Sequence, residues 1–191
     1  MGAGRGAERP GAADAAVSER FEDMLTGGHP NSLGRTIEVV ETVLADEARM
    51  EELFGCYGSA DEVVRLRVSN AMRRVQAERP DLIVPFIDRL IEEIGALNQA
   101  SAQWTLPKLF EGAEAEMSEG QKAAALALVK RNLAEHQDWI VLNNSIEYLA
   151  RLASGDGALK AWLLPHLARL SADDRKSVAK RAAKALNGLG A

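Results

Sequence analysis

The chain has 191 residues, 47% of them hydrophobic and 27% charged, enough for one domain with a proper core and short for two. Aromatic residues make up only 5%, and alanine and leucine carry the apolar fraction, a balance that suits helices and disfavours sheets. A net charge of −5 argues against a globally attractive field for nucleic acid or an anionic membrane, and the single cysteine, Cys56, excludes an intramolecular disulfide.

In chain order, residues 1–13 are rich in glycine and alanine and lack periodicity. Such a stretch buries too little apolar surface to offset its ordering entropy. Residues 1–31 are therefore expected to be a mobile tail with one short amphipathic helix, its apolar side made of Val17, Phe21, Met24 and Leu25. The run Thr26-Gly27-Gly28-His29-Pro30-Asn31 ends that helix. Residues 32–191 are expected to form a single all-α domain. No segment alternates with period two for the length of a strand, and helices are predicted near 33–45, 47–57, 61–78, 81–95, 99–111, 119–135, 138–153, 158–170 and 173–187. Capping boxes are read at Ser59 with Glu62, Ser118 with Gln121 and Ser171 with Asp174. Pro107 falls within 99–111, so that helix is predicted to kink or restart there. No stretch approaches the roughly 20 apolar residues of a membrane span, and the N-terminus has no apolar signal region. The expected compartment is the cytoplasm, with no membrane partner.

The chain repeats itself. Segments starting at Val64, Ser101, Val141 and Val178 align, with spacings of 37, 40 and 37 residues. A second pattern precedes them: 81–90 matches 161–170 at a separation of 80, including Pro85 and Pro165. Two helices per roughly 40 residues, stacked, predict an α-solenoid. On a helix, Val64, Val68, Ala71, Met72 and Val75 form one apolar stripe, as do Val178, Ala182, Ala185, Leu186 and Leu189.

The best repeat, Asp61-x-x-Val64-Arg65-x-x-Val68-Ser69-x-Ala71-Met72, resembles the second helix of HEAT repeats. Asp138-x-x-Val141 and the run 178–186 carry parts of it, and the resemblance spans roughly residues 33–189. It implies about four HEAT-like helix pairs in a right-handed superhelix. It further implies that the valines and small residues face neighbouring repeats, and that the repeat arginine pairs with acids between them. Only Arg65 keeps that arginine; Leu142 and Ala179 replace it elsewhere. In such proteins the second helices line the concave side.

The candidate binding surface follows from that phase. Arg67, Trp104, Asn144 and Arg181 share one helical angle across the four segments. Asn70, Glu147, Lys180 and Lys184 run beside them, then Arg74, Glu111 and Arg151. Together they predict a polar, mildly basic groove with one aromatic residue. Trp162 is expected in the core and Trp139 packed at the start of its helix. Cys56 is read as a small buried apolar residue. His29, His136 and His166 are too scattered for a metal set, so no metal, cofactor or catalytic residue is assigned. The expected function is a non-enzymatic scaffold holding a protein or peptide partner. The alternative is nucleic-acid binding, since some HEAT-like proteins are DNA glycosylases; a tetrapyrrole role, as in HEAT-like bilin lyases, has only the repeat class behind it. The partner, the biological process and the oligomeric state are not legible in the sequence.

Overall fold

The computed structural model describes residues 19–29 and 31–190, and among these the chain is all-helical with no strand. Residues 1–18, with Val17 among them, lie outside the described residues. The remainder of the expected tail is bound to the helical body: α1 (Phe21–Leu25) buries Phe21, Met24 and Leu25. It packs on α2 (Thr36–Ala45), α3 (Met50–Gly55) and α4 (Glu62–Glu78).

Helix starts follow local chemistry, with two corrections to the expected caps. Asp61, rather than Ser59, caps α4 by accepting from the Val63 amide at 2.8 Å; Ser59 instead accepts from the Asp61 amide. Short polar side chains satisfy the unpaired amides of a first turn, and the residue adjoining that turn is best placed to do so. Ser118 and Gln121 form the predicted reciprocal box at the head of α8 (Glu119–Glu135). Asp138 caps α9 (Trp139–Ala153), and Asp156 caps α10 (Gly157–Ser171). Ser171 caps nothing: it is the last residue of α10, its hydroxyl bonded back to the Ala168 carbonyl, and α11 (Lys176–Gly188) starts later than expected.

Prolines set the irregular parts. Pro80 opens a 3-10 turn at Pro80–Leu82 and Pro85 lies in a second at Val84–Phe86, because each removes an amide from the ladder. The segment expected as one helix is α-helical only over α5 (Ile87–Arg89) and runs on as a π-turn, Leu90–Ile94. Pro165, its counterpart in the repeat, sits inside an otherwise continuous α10, which is capped and established before the proline is reached. The predicted interruption near Pro107 is present: α6 (Ala100–Gln103) stops, Trp104 and Thr105 form a turn, and α7 (Leu106–Ala113) restarts with Pro107 in its first turn.

One apolar core runs through the molecule. Val64, Val68, Ala71, Met72 and Val75 are all fully buried, as are Val178 and Ala182 on α11. α4 packs on α2 before it and on α6 and α7 after it; α9 packs on α6, α7 and α11. The intervening helices meet through side chains: Phe54 stacks on Phe86 at 4.9 Å, Gln121 donates to Asp88, and Lys130 lies over the Trp162 ring. Cys56 is buried as expected, and burial, with Glu22 and Glu52 nearby, pushes its thiol up to about 11. Trp139 is 49% exposed, contrary to expectation. Trp162 is half-buried at the edge of the core and tilted against His166.

Candidate functional site: a charged face across three helices

The eleven residues expected on one surface divide sharply. Arg67 is not on it. It is 1% exposed, and its guanidinium donates to four backbone carbonyls: Leu25 and Gly27 at 2.6 Å, Ser32 at 3.1 Å and His29 at 3.2 Å. The segment after α1 wraps over it, and no carboxylate pairs with it among the described residues. Gly34 makes room: its φ is +53°, and a Cβ there would stand 2.9 Å from the guanidinium carbon. Carbonyls at the end of α1 carry partial negative charge that favours a cation. Arg67 therefore ties the N-terminal segment to the body and is unavailable to a partner.

Asn70 is half-buried, and its amide turns back to the Leu66 carbonyl at 3.2 Å. Arg74 is exposed and unpaired among the described residues. Trp104 is half-buried, lining a cleft of about 410 Å³ with Val63, Leu66, Gln99 and Ser101. The break at Thr105 leaves the Trp104 carbonyl without its helical partner, and Asn144 supplies one from α9 at 2.7 Å. Two of the predicted surface residues thus join through backbone chemistry created by Pro107.

Glu147, Arg151 and Arg181 do come together, in a network that includes two residues the sequence reading missed. Lys108 on α7 reaches Glu111 at 3.0 Å and Glu147 on α9 at 3.6 Å; Glu147 in turn pairs with Arg181 on α11. Arg151 bridges back to Glu111 at 3.3 Å and to Glu114 at 2.6 Å. Lys108 was findable, since it stands one turn beyond Trp104 on the same side. Glu114 lies in a 3-10 turn past α7, where helical phase gives no guidance. Beneath the network Tyr148 is buried, with Arg151 over its ring at 5.5 Å. Burial and then the neighbouring Glu114 push its phenol up to about 12, so it stays neutral.

The face is therefore mixed in charge and largely self-paired, with three cations and three carboxylates alternating across α7, α9 and α11. A second cleft, about 220 Å³, opens between α9 and α11, with Ile146, Ala150 and Ala185 as its apolar lining and Glu147, Arg181 and Lys184 at its edge. Lys180 and Lys184 are exposed and make no ion pair among the described residues. Arg65, the surviving repeat arginine, bonds to the Gln99 side chain and the Ser59 carbonyl. The cross-repeat link exists there, with an amide in place of the expected acid. No group of three metal-ligating side chains occurs among the described residues, and no described helix is long and apolar enough to cross a membrane. No protein-family model matches the chain, and no curated protein is significantly similar to it.

Proposed function

We propose that the chain is a HEAT-like α-solenoid of about four helix pairs, acting as a non-enzymatic scaffold that holds a protein or peptide partner on its second-helix face. The solenoid reading is supported by the order of contacts: α2, α4, α6 with α7, α9 and α11 touch in succession, and the elements between them are linked by Phe54 on Phe86, Gln121 to Asp88 and Lys130 over Trp162. The observation that carries the binding reading is the ordered network of Lys108, Glu147, Arg181, Arg151, Glu111 and Glu114 across three successive helices, beside the half-buried Trp104. Such a surface offers both signs of charge and an aromatic anchor, the composition of a protein-binding site. Nucleic acid is the second reading, favoured only by the exposed lysines of α11; the three carboxylates interrupt any continuous track for phosphates.

The test is capture from native lysate by the full chain, wild type against Trp104→Ala and Arg151→Glu, with Arg169→Glu on α10 as the control. A partner retained by wild type and control and lost from the other two supports the reading. Equal capture by all four overturns it, as does recovery of nucleic acid alone.

A further inference from the structure

The three lysines of α11, Lys176, Lys180 and Lys184, follow one another at four-residue spacing along one flank of the helix. All three are exposed, and none has an acidic partner within ion-pair distance among the described residues. Like charges four apart on a helix repel one another. Lys176, in the first turn, is further opposed by the positive end of the helix macrodipole. The contrast with the neighbouring network is sharp: Lys108, Arg151 and Arg181 are each matched by a carboxylate, whereas the three lysines of the α11 flank are not. Beside that flank lies the α9/α11 cleft, whose Ile146, Ala150 and Ala185 give an apolar floor.

We propose that this cleft and flank are the docking site for an acidic amphipathic segment of a protein partner. Its apolar side chains rest on the half-buried Ala150 and Ala185, with Ile146 buried beneath them, and its carboxylates meet Lys180 and Lys184. The inference rests on the scaffold reading above and specifies the chemistry of the partner. Charge complementarity selects acid over base, because a basic segment would meet three uncompensated lysines. The apolar floor selects an amphipathic peptide over a polyanion, which has no apolar side chains to lay on it.

The experiment uses the full chain and three fluorescent probes in anisotropy titrations: a helical peptide with a leucine stripe and a glutamate face, its lysine counterpart, and a short DNA duplex. The glutamate peptide is expected to bind, and the double variant Lys180→Glu/Lys184→Glu to weaken it about tenfold or more while gaining affinity for the lysine peptide. Ala150→Glu, at the half-buried cleft wall, should weaken the glutamate peptide further. Tighter binding of DNA than of the glutamate peptide overturns the inference, and so does unchanged binding in the lysine variant. If the peptides fail while lysate capture still depends on Trp104, the acidic-partner inference falls and the scaffold reading stands; if both fail, both fall.

Discussion

The region around α4 and the region around α11 are built on the same repeat segment, and Arg67 and Arg181 occupy its equivalent positions, three residues beyond Val64 and Val178. Around α4 the end of α1 gives the arginine one carbonyl and the stretch after it gives three; around α11 no described element covers Arg181, which pairs with Glu147 at the surface. The apolar stripes beneath are alike, with Val64 and Ala71 in one and Val178 and Ala182 in the other all fully buried. Helical phase thus fixes the inward side of both regions, whereas the outward side depends on which neighbour happens to pass over it. One arginine became a structural tie and the other stayed at the surface, paired with Glu147.

The largest expected effects probe what the two regions share. Ala71→Asp and Ala182→Asp each place an unpaired carboxylate where exposure is zero, and should destabilise the fold by about 3–5 kcal/mol. Arg74→Asp and Lys184→Asp, on the exposed sides of the same helices, should stay within about 0.5 kcal/mol. Equal thermal melting shifts for the two classes would show that the common buried seam is misassigned.

The next variants separate the regions. Arg67→Met leaves four carbonyls without their donor and should destabilise by about 3 kcal/mol, whereas Arg181→Met removes a surface pair and should change stability by less than about 1 kcal/mol. Amide exchange locates the difference: Arg67→Met should deprotect α1 and leave α9 to α11 unchanged. Similar losses for the two variants would mean that burial of Arg67 is not what distinguishes the regions. Gly34→Ala attacks the same tie from the other side. Strain at a positive φ, added to the clash with the guanidinium, should destabilise by about 1–3 kcal/mol, and the effect should shrink in an Arg67→Met background.

Smaller still is Asn144→Ala, which removes the donor to the Trp104 carbonyl and should destabilise by about 1 kcal/mol. The smallest effect is a pH dependence confined to the α11 region. The side chain and backbone of Arg175 hold the Asp173 carboxyl down at about 2, from an ordinary value of 3.8. A depressed carboxylate stabilises the fold above its unfolded pKa and loses that contribution as pH falls through the folded one. Between about pH 4 and 2, wild type should therefore lose stability relative to Asp173→Asn, and the change should be small because the pair lies at the surface, where solvent screens it. A difference between the two proteins that stays constant across this range would remove Asp173 from the account.

How much of this was legible depended on whether the signal was local. The 17-residue spans of α4 and α8, and the restart at Pro107, follow from hydrophobic periodicity, the serine cap of α8 and a missing amide, all written within a few residues, although the cap of α4 was read at Ser59 where Asp61 supplies it. The stretch 80–94 misled because its apolar spacing is helical while two prolines five residues apart break the ladder; the same pattern around Pro165 stays helical. On the candidate face, Glu147, Arg151 and Arg181 were identified from phase alone. Lys108 was missed although it stands one turn beyond Trp104, and Glu114 was missed because it lies in a 3-10 turn past α7, where helical phase gives no guidance.

By itself, then, the sequence determined the helical class, the repeat spacing and the buried stripes, because a helix converts spacing along the chain into a direction in space. Only the tertiary structure decided which outward residues are free. That question turns on contacts between residues as far apart as Arg67 and Leu25, or Asn144 and Trp104, and no local periodicity encodes them. The fate of Arg67 shows why: a cation with no carboxylate partner among the described residues was stabilised by four carbonyls, one at the end of α1 and three in the stretch after it.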